Sequence, residues 1–157
     1  LETSAEAWAR GVAPDGVERV RAGERLEDAV ARVLAAPGGP LLVLWPLLPQ
    51  LRREHALAAL GDLDAGSDVV LGPVIDGGLY LLGLARPLPA LMSAAADRWQ
   101  DPDVMTIGFA AAQEAGLEVG LLRAERALRS AEDVRAALAD PLLPPEIRRV
   151  LEGTEGR

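Results

Sequence analysis

Two short stretches hold the residues best suited to chemistry in this chain. In the first, Asp76-Gly77-Gly78, a carboxylate stands beside two glycines. Glycine lets a sugar or phosphate approach the backbone, and it also tolerates positive φ, so the same tripeptide is an ordinary hairpin-turn signal. Spacing alone leaves both readings open. In the second, Arg123, Arg126 and Arg129 recur at every third position. Guanidinium forks match phosphate oxygens, and the same arginines could equally pair with Glu125 and Glu132 on a solvated face. His55 lies on a predicted helix with no acidic or hydroxyl partner at helical spacing, and reads as structural. Ser4, Ser67, Ser93 and Ser130 occur in no Gly-x-Ser-x-Gly setting, which excludes a nucleophile elbow. Trp45 and Trp99 read as core anchors ahead of stacking platforms.

Composition narrows the chemistry further. The 157 residues contain no cysteine and one histidine, and carry a net charge of -8. Without cysteine there is no disulfide framework, iron–sulfur site or thiol nucleophile, and one imidazole cannot make a His-pair metal site. All 16 basic residues are arginine. That removes a Walker-loop lysine and a Schiff-base lysine. The acidic balance argues against a nucleic-acid partner. No apolar run approaches the ~20 residues of a membrane helix, and Leu1–Arg10 lacks the pattern of a signal peptide, so no membrane partner and a cytoplasmic location are expected. One domain over residues 1–157, frayed from about residue 153, fits a length that can bury a single core.

The elements that must position these residues follow from periodicity and breakers. Glu2–Arg10 reads as a helix and Val17–Val20 as a short strand. Glu24–Ala36 carries Leu26, Ala29, Val30, Val33 and Leu34 at helical spacing. Leu41–Trp45 is an unbroken apolar run between breakers, the pattern of a central strand buried on both faces. Leu51–Leu60 is a predicted helix closed by Gly61. Strands are predicted at Asp68–Leu71, Leu79–Leu84 and Leu117–Leu122. Helices are predicted over Pro87–Ala96 and from Asp101 to Gly116, the latter with Asp101 as cap and Pro102 at its first position. Ser130 and Asp133 form a capping box for another helix, and Pro145–Leu151 is the last. Strands alternating with helices give an α/β three-layer sandwich whose ligands sit at the strands' carboxyl ends.

Gly72-Pro73-Val74-Ile75-Asp76-Gly77-Gly78-Leu79-Tyr80-Leu81-Leu82-Gly83-Leu84 resembles the central G-P-x-x-D-G-G-Y-Y-L-x-G-L segment of a bacterial glycosyltransferase-like family. This is the selenodomain-associated transferase type, formerly of unknown function, within the nucleotide-diphospho-sugar transferase GT-A superfamily. Gly23-Glu24-Arg25-Leu26, Trp99 and Ala131-Glu132-Asp133-Val134 agree with it, so the resemblance runs from about Val17 to Leu138. It implies a Rossmann-like GT-A fold with a mostly parallel mixed sheet, and a nucleotide or nucleotide sugar as ligand. Asp76, Gly77, Gly78, Arg129 and Trp45 are the implied ligand-binding residues, with Asp76 catalytic if the domain is active.

The chain also departs from the pattern. Where the family has G-[ST]-D-x-P-x-L, it reads Trp45-Pro46-Leu47-Leu48-Pro49-Gln50-Leu51, with Leu47 in the place of an aspartate. Where the family has D-[IV]-D-T-x-E-D-L, both leading aspartates are gone and Arg129 stands in place of one. The family's basic opening loop, and with it the first β-α unit, has no counterpart. The family would use Mg²⁺ or Mn²⁺ held on carboxylates. No metal site and no cofactor are expected in this chain. Three readings follow: a degenerate transferase-like domain with weak or no metal-dependent activity, a metal-independent glycosyl- or nucleotidyltransferase using Arg129, and an interaction domain without a small-molecule site. An Asp76–Arg129 pair at the sheet's carboxyl edge is expected under the first two.

Overall fold

Val69, Val70 and Leu71 alternate between two apolar environments, and that alternation builds the domain. The computed structural model describes residues 23–35, 39–45, 48 and 51–154. The expectations for Glu2–Arg10, Val17–Val20 and Leu47 lie outside these. The described order is α1 (Leu26–Leu34), β1 (Leu41–Leu44), α2 (Arg53–Asp64), β2 (Val69–Pro73), β3 (Leu79–Leu84), α3 (Pro89–Ala94), α4 (Val104–Glu114), β4 (Val119–Leu121), α5 (Ala131–Ala139) and α6 (Pro145–Thr154).

Strands β1, β3, β2 and β4 lie side by side in that order. Strand β3 runs antiparallel to both β1 and β2, whereas β4 runs parallel to β2. Three of the four strands therefore point one way, in a mixed sheet. On one face Val69, Leu71, Leu82 and Leu84 pack against Val30 of α1, Leu91 and Met92 of α3, and Val104 of α4. On the other, Val70 and Leu81 pack against Ala59 and Leu63 of α2. Successive strand side chains point to opposite faces, so a doubly apolar strand demands helices on both sides. The α/β/α layering follows.

One irregularity matters for the site. Gly72 pairs with Leu81 and Pro73 with Leu79, which leaves Tyr80 as an extra residue in β3. This bulge puts Tyr80 and Leu81 together on the α2 face. Gly72 makes room for it: a Cβ there would lie 2.8 and 2.9 Å from ring atoms of Tyr80.

Several expectations need correction. Leu41–Trp45 is not a central strand buried on both faces. The strand is Leu41–Leu44, half-buried, and among the described residues it has β3 as its one neighbour, so the buried centre passes to β2 and β3. Gly61 does not close α2, which runs on to Asp64. Gly61 faces open space, and the left-handed residue that ends the helix is Gly66, at φ 114°. Asp101 does not cap α4, which starts at Val104, and Pro102 precedes its first turn. Arg98 captures both candidate caps, donating to Asp101 Oδ2 at 3.0 Å and to Asp103 Oδ2 at 2.5 Å. The Ser130–Asp133 box forms as the sequence indicates. Among the described residues, no helix is long and apolar enough to cross a membrane.

Candidate functional site

The Asp-Gly-Gly tripeptide closes the β2–β3 hairpin, so its turn-forming role is real. Gly77 and Gly78 have φ of 98° and 85°, backbone that an L side chain rarely adopts. Packing adds a second demand. A Cβ on Gly77 would collide with the Pro102 backbone, and one on Gly78 would lie 2.6 Å from Nη2 of Arg129. Both glycine amides of the turn are occupied: Gly77 N–H donates to Val74 O at 3.1 Å and Gly78 N–H to Asp101 O at 3.1 Å. An anion at this turn gains nothing from these two amides and draws on the side chains around it.

Those side chains come from the segment after β4. Glu125 continues the parallel pairing as a bridge to Val74, and Ile75 N–H donates to its carbonyl at 2.9 Å. The segment then passes beside the hairpin tip. Arg129 donates from Nη1 to Gly77 O at 2.9 Å and from Nη2 to Gln100 Oε1 at 2.8 Å. Gln100 in turn donates to Leu79 O at 2.8 Å. Both acceptors of the Arg129 guanidinium are neutral, and among the described residues no carboxylate lies within ion-pair distance of it.

The expected Asp76–Arg129 pair is replaced by a different one. Arg126 Nη1 lies 3.6 Å from Asp76 Oδ2 and 3.8 Å from Asp133 Oδ1. Ala127 is buried, and the arginines that flank it diverge in partner: Arg126 meets the carboxylates and Arg129 the hairpin carbonyl. Asp133 accepts from the Ser130 hydroxyl at 2.8 Å, and from the backbone N–H groups of Arg129 and Ser130. The hydroxyl bond first, then the Arg129 amide, hold its carboxyl below the usual carboxylate value.

These carboxylates do not fit a Mg²⁺ or Mn²⁺ site. A divalent ion of this kind needs several free oxygen ligands, whereas Asp76 and Asp133 share one guanidinium and Asp133 also caps a helix. Among the described residues, no three His, Asp or Glu side chains converge as metal ligands. Trp45 stacks on Trp99 with ring centroids 6.2 Å apart and packs against the core.

A second cluster was half visible in the sequence, which offered Glu125 as a partner for the arginines but gave no sign of His55. Arg52 N–H donates to His55 Nδ1 at 3.0 Å, which satisfies an amide at the start of α2. Nε2 lies 3.3 Å from Glu125 Oε1, an oxygen that also accepts from Arg123 Nη2 at 2.6 Å. The Tyr80 ring meets His55 edge-on at 5.5 Å, and its hydroxyl donates to Arg123 O at 3.1 Å. Burial, then the Glu125 carboxylate, push the Tyr80 hydroxyl up to about 12, against the opposing pull of Arg123. His55 and Glu125 are 70 positions apart, so local spacing carried no signal of their meeting.

The chain's relatives agree with this architecture. Residues 3–100 match the family described as uncharacterized proteins conserved in bacteria (DUF2064). The chain belongs to this family. Among solved structures, it is similar to the crystal structure of a candidate nucleotide-diphospho-sugar transferase from Desulfovibrio desulfuricans G20, with a TM-score of 0.70 and 22% sequence identity. That match covers 88% of this chain and 62% of the other. At such identity the likeness establishes the fold alone, an α/β domain with helices on both faces of a mixed sheet. No curated protein matches the chain.

Proposed function

We propose that this DUF2064 domain binds a nucleotide or nucleotide sugar and holds the diphosphate on arginine in place of a metal ion. The observation that carries this reading is Arg129. Its guanidinium is held beside the Asp-Gly-Gly turn by two neutral acceptors and has no carboxylate partner among the described residues. A guanidinium offers five N–H donors in a rigid fork, and two are used here. Its remaining donors and full charge serve an incoming anion, and Arg126 beside it can exchange its long ion pairs for a phosphate. Weak or absent metal-dependent activity is expected of such a site because Asp133 is committed to a helix cap, and Asp76 alone offers too few oxygens for a divalent ion.

A second reading, active metal-independent transfer, is favoured by Asp76. Its side chain is 65% exposed and its one ion pair is long, so it is available to contact a sugar or acceptor. In that case Arg129 neutralises the developing diphosphate charge, as preorganised cations do in transfer sites. An interaction domain without any ligand is the outcome that binding data would exclude.

Thermal unfolding with a panel of nucleoside diphosphates and nucleotide sugars, in excess chelator, tests the reading. At least one should raise Tm in a concentration-dependent way, by the mass-action law for ligands of the native state. No shift with any member at millimolar concentration contradicts it.

A further inference from the structure

Below the hairpin tip, on the α2 face, lies a cleft of about 880 Å³, within the range of small-molecule sites. Its wall includes the His55–Glu125–Arg123 cluster, which the diphosphate reading does not use. Glu125 is the distinctive group there. Its Oε1 takes every hydrogen bond given to the carboxylate, from His55 and from two nitrogens of Arg123. Among the described residues its Oε2 has no hydrogen-bond partner, and it is not sealed from solvent. With its side chain 14% exposed, Glu125 is a half-sequestered carboxylate fixed through one oxygen, with the other open.

The lining chooses the class of ligand. Among the described lining residues, Arg52, Arg123 and Arg126 are matched by Glu54, Glu125 and Asp140, three cations against three anions, so these residues give the cleft no net charge to reward an anionic ligand. Its mouth carries two apolar side chains left in water, Ile75 at 54% and Leu142 at 78% exposed. An open carboxylate oxygen selects hydroxyl donors, and flanking apolar groups cover C–H faces. A molecule with both features is a neutral polyol or sugar. We infer that this cleft is a second ligand site for a neutral polyhydroxy compound, with Glu125 Oε2 accepting a ligand hydroxyl and His55 and Arg123 as positioning residues. Ile75 adjoins Asp76, and Arg126 belongs to both sites, so this ligand would lie next to the proposed diphosphate site. Its role as acceptor of a transferred group rests on the proposed function; its binding does not.

The probes are D-glucose, D-mannose, D-galactose and glycerol, with glucose 1-phosphate and glucuronate as charged arms. NMR titration of the whole chain follows the resonances of His55 and Tyr80, the one histidine and one tyrosine present. At least one neutral probe should shift both saturably. Glu125→Ala should weaken that binding by about tenfold or more, as loss of a hydrogen bond to a charged group does. Leu142→Trp, which narrows the mouth and leaves the Glu125 cluster intact, should weaken it by a similar factor, and Arg129→Ala should leave it unchanged. Failure of every neutral probe overturns the inference. So does binding of charged probes alone, or wild-type affinity in both cleft variants. A nucleoside diphosphate titrated into the same samples reports the Arg129 site separately, so the two readings fail independently.

Discussion

Tyr80 is the chain's single tyrosine, so its ionisation can be followed by tyrosinate absorbance without overlap. The hydroxyl should titrate near 12, because burial and Glu125 both disfavour the charged form. Unfolding returns it to the ordinary value of 10.0, so the stability it contributes is complete below that pH and is lost as pH rises from there through the folded-state value. A native-state titration near 10 would mean that the hydroxyl is not buried beside Glu125. At this scale the sequence was partly legible. Arginine spacing identified the right segment, because guanidinium chemistry depends on residue type. Which arginine meets Asp76 depends on the course of the segment past the hairpin tip, and periodicity is silent about a non-helical stretch. Gln100, which holds Arg129 in place, belongs to no motif at all.

The β3 bulge joins sheet to site among the secondary elements. It brings Tyr80 onto the α2 face, where the ring supports His55 and the hydroxyl holds the segment after β4. Gly72→Ala should destabilise the fold by roughly 1–3 kcal/mol, the usual cost of overpacking, because the ring has no flexible end to yield. Denaturant unfolding checks this, and an unchanged midpoint would show that the bulge relaxes freely. Caps built from neighbouring residues were readable, as Ser130 and Asp133 demonstrate. Asp101 misled because Arg98 competes for its carboxylate, and Gly61 misled because a glycine ends a helix only where the chain needs positive φ. The apolar run at Leu41–Leu44 gave the strand but not its rank in the sheet. Burial there depends on which strands pair, and apolar content does not encode pairing order.

Over the whole molecule, alternating strands and helices were enough to indicate the three-layer α/β architecture, and the Gly72–Leu84 segment indicated its family. The antiparallel course of β3 was implied only by the short Asp-Gly-Gly link, since parallel neighbours require a longer crossover. The charge distribution is the feature with most functional consequence. A protein with net charge -8 keeps, at the tip of its central hairpin, a guanidinium that pairs with no carboxylate among the described residues. The most direct test is calorimetric titration of a nucleoside diphosphate into wild type and Arg129→Ala, both in excess chelator, with unfolding midpoints recorded alongside. The account predicts saturable binding to wild type that added Mg²⁺ does not strengthen, and affinity weakened by about tenfold or more in a variant that remains folded. Equal affinity in the two proteins, or binding that requires the metal, would contradict it.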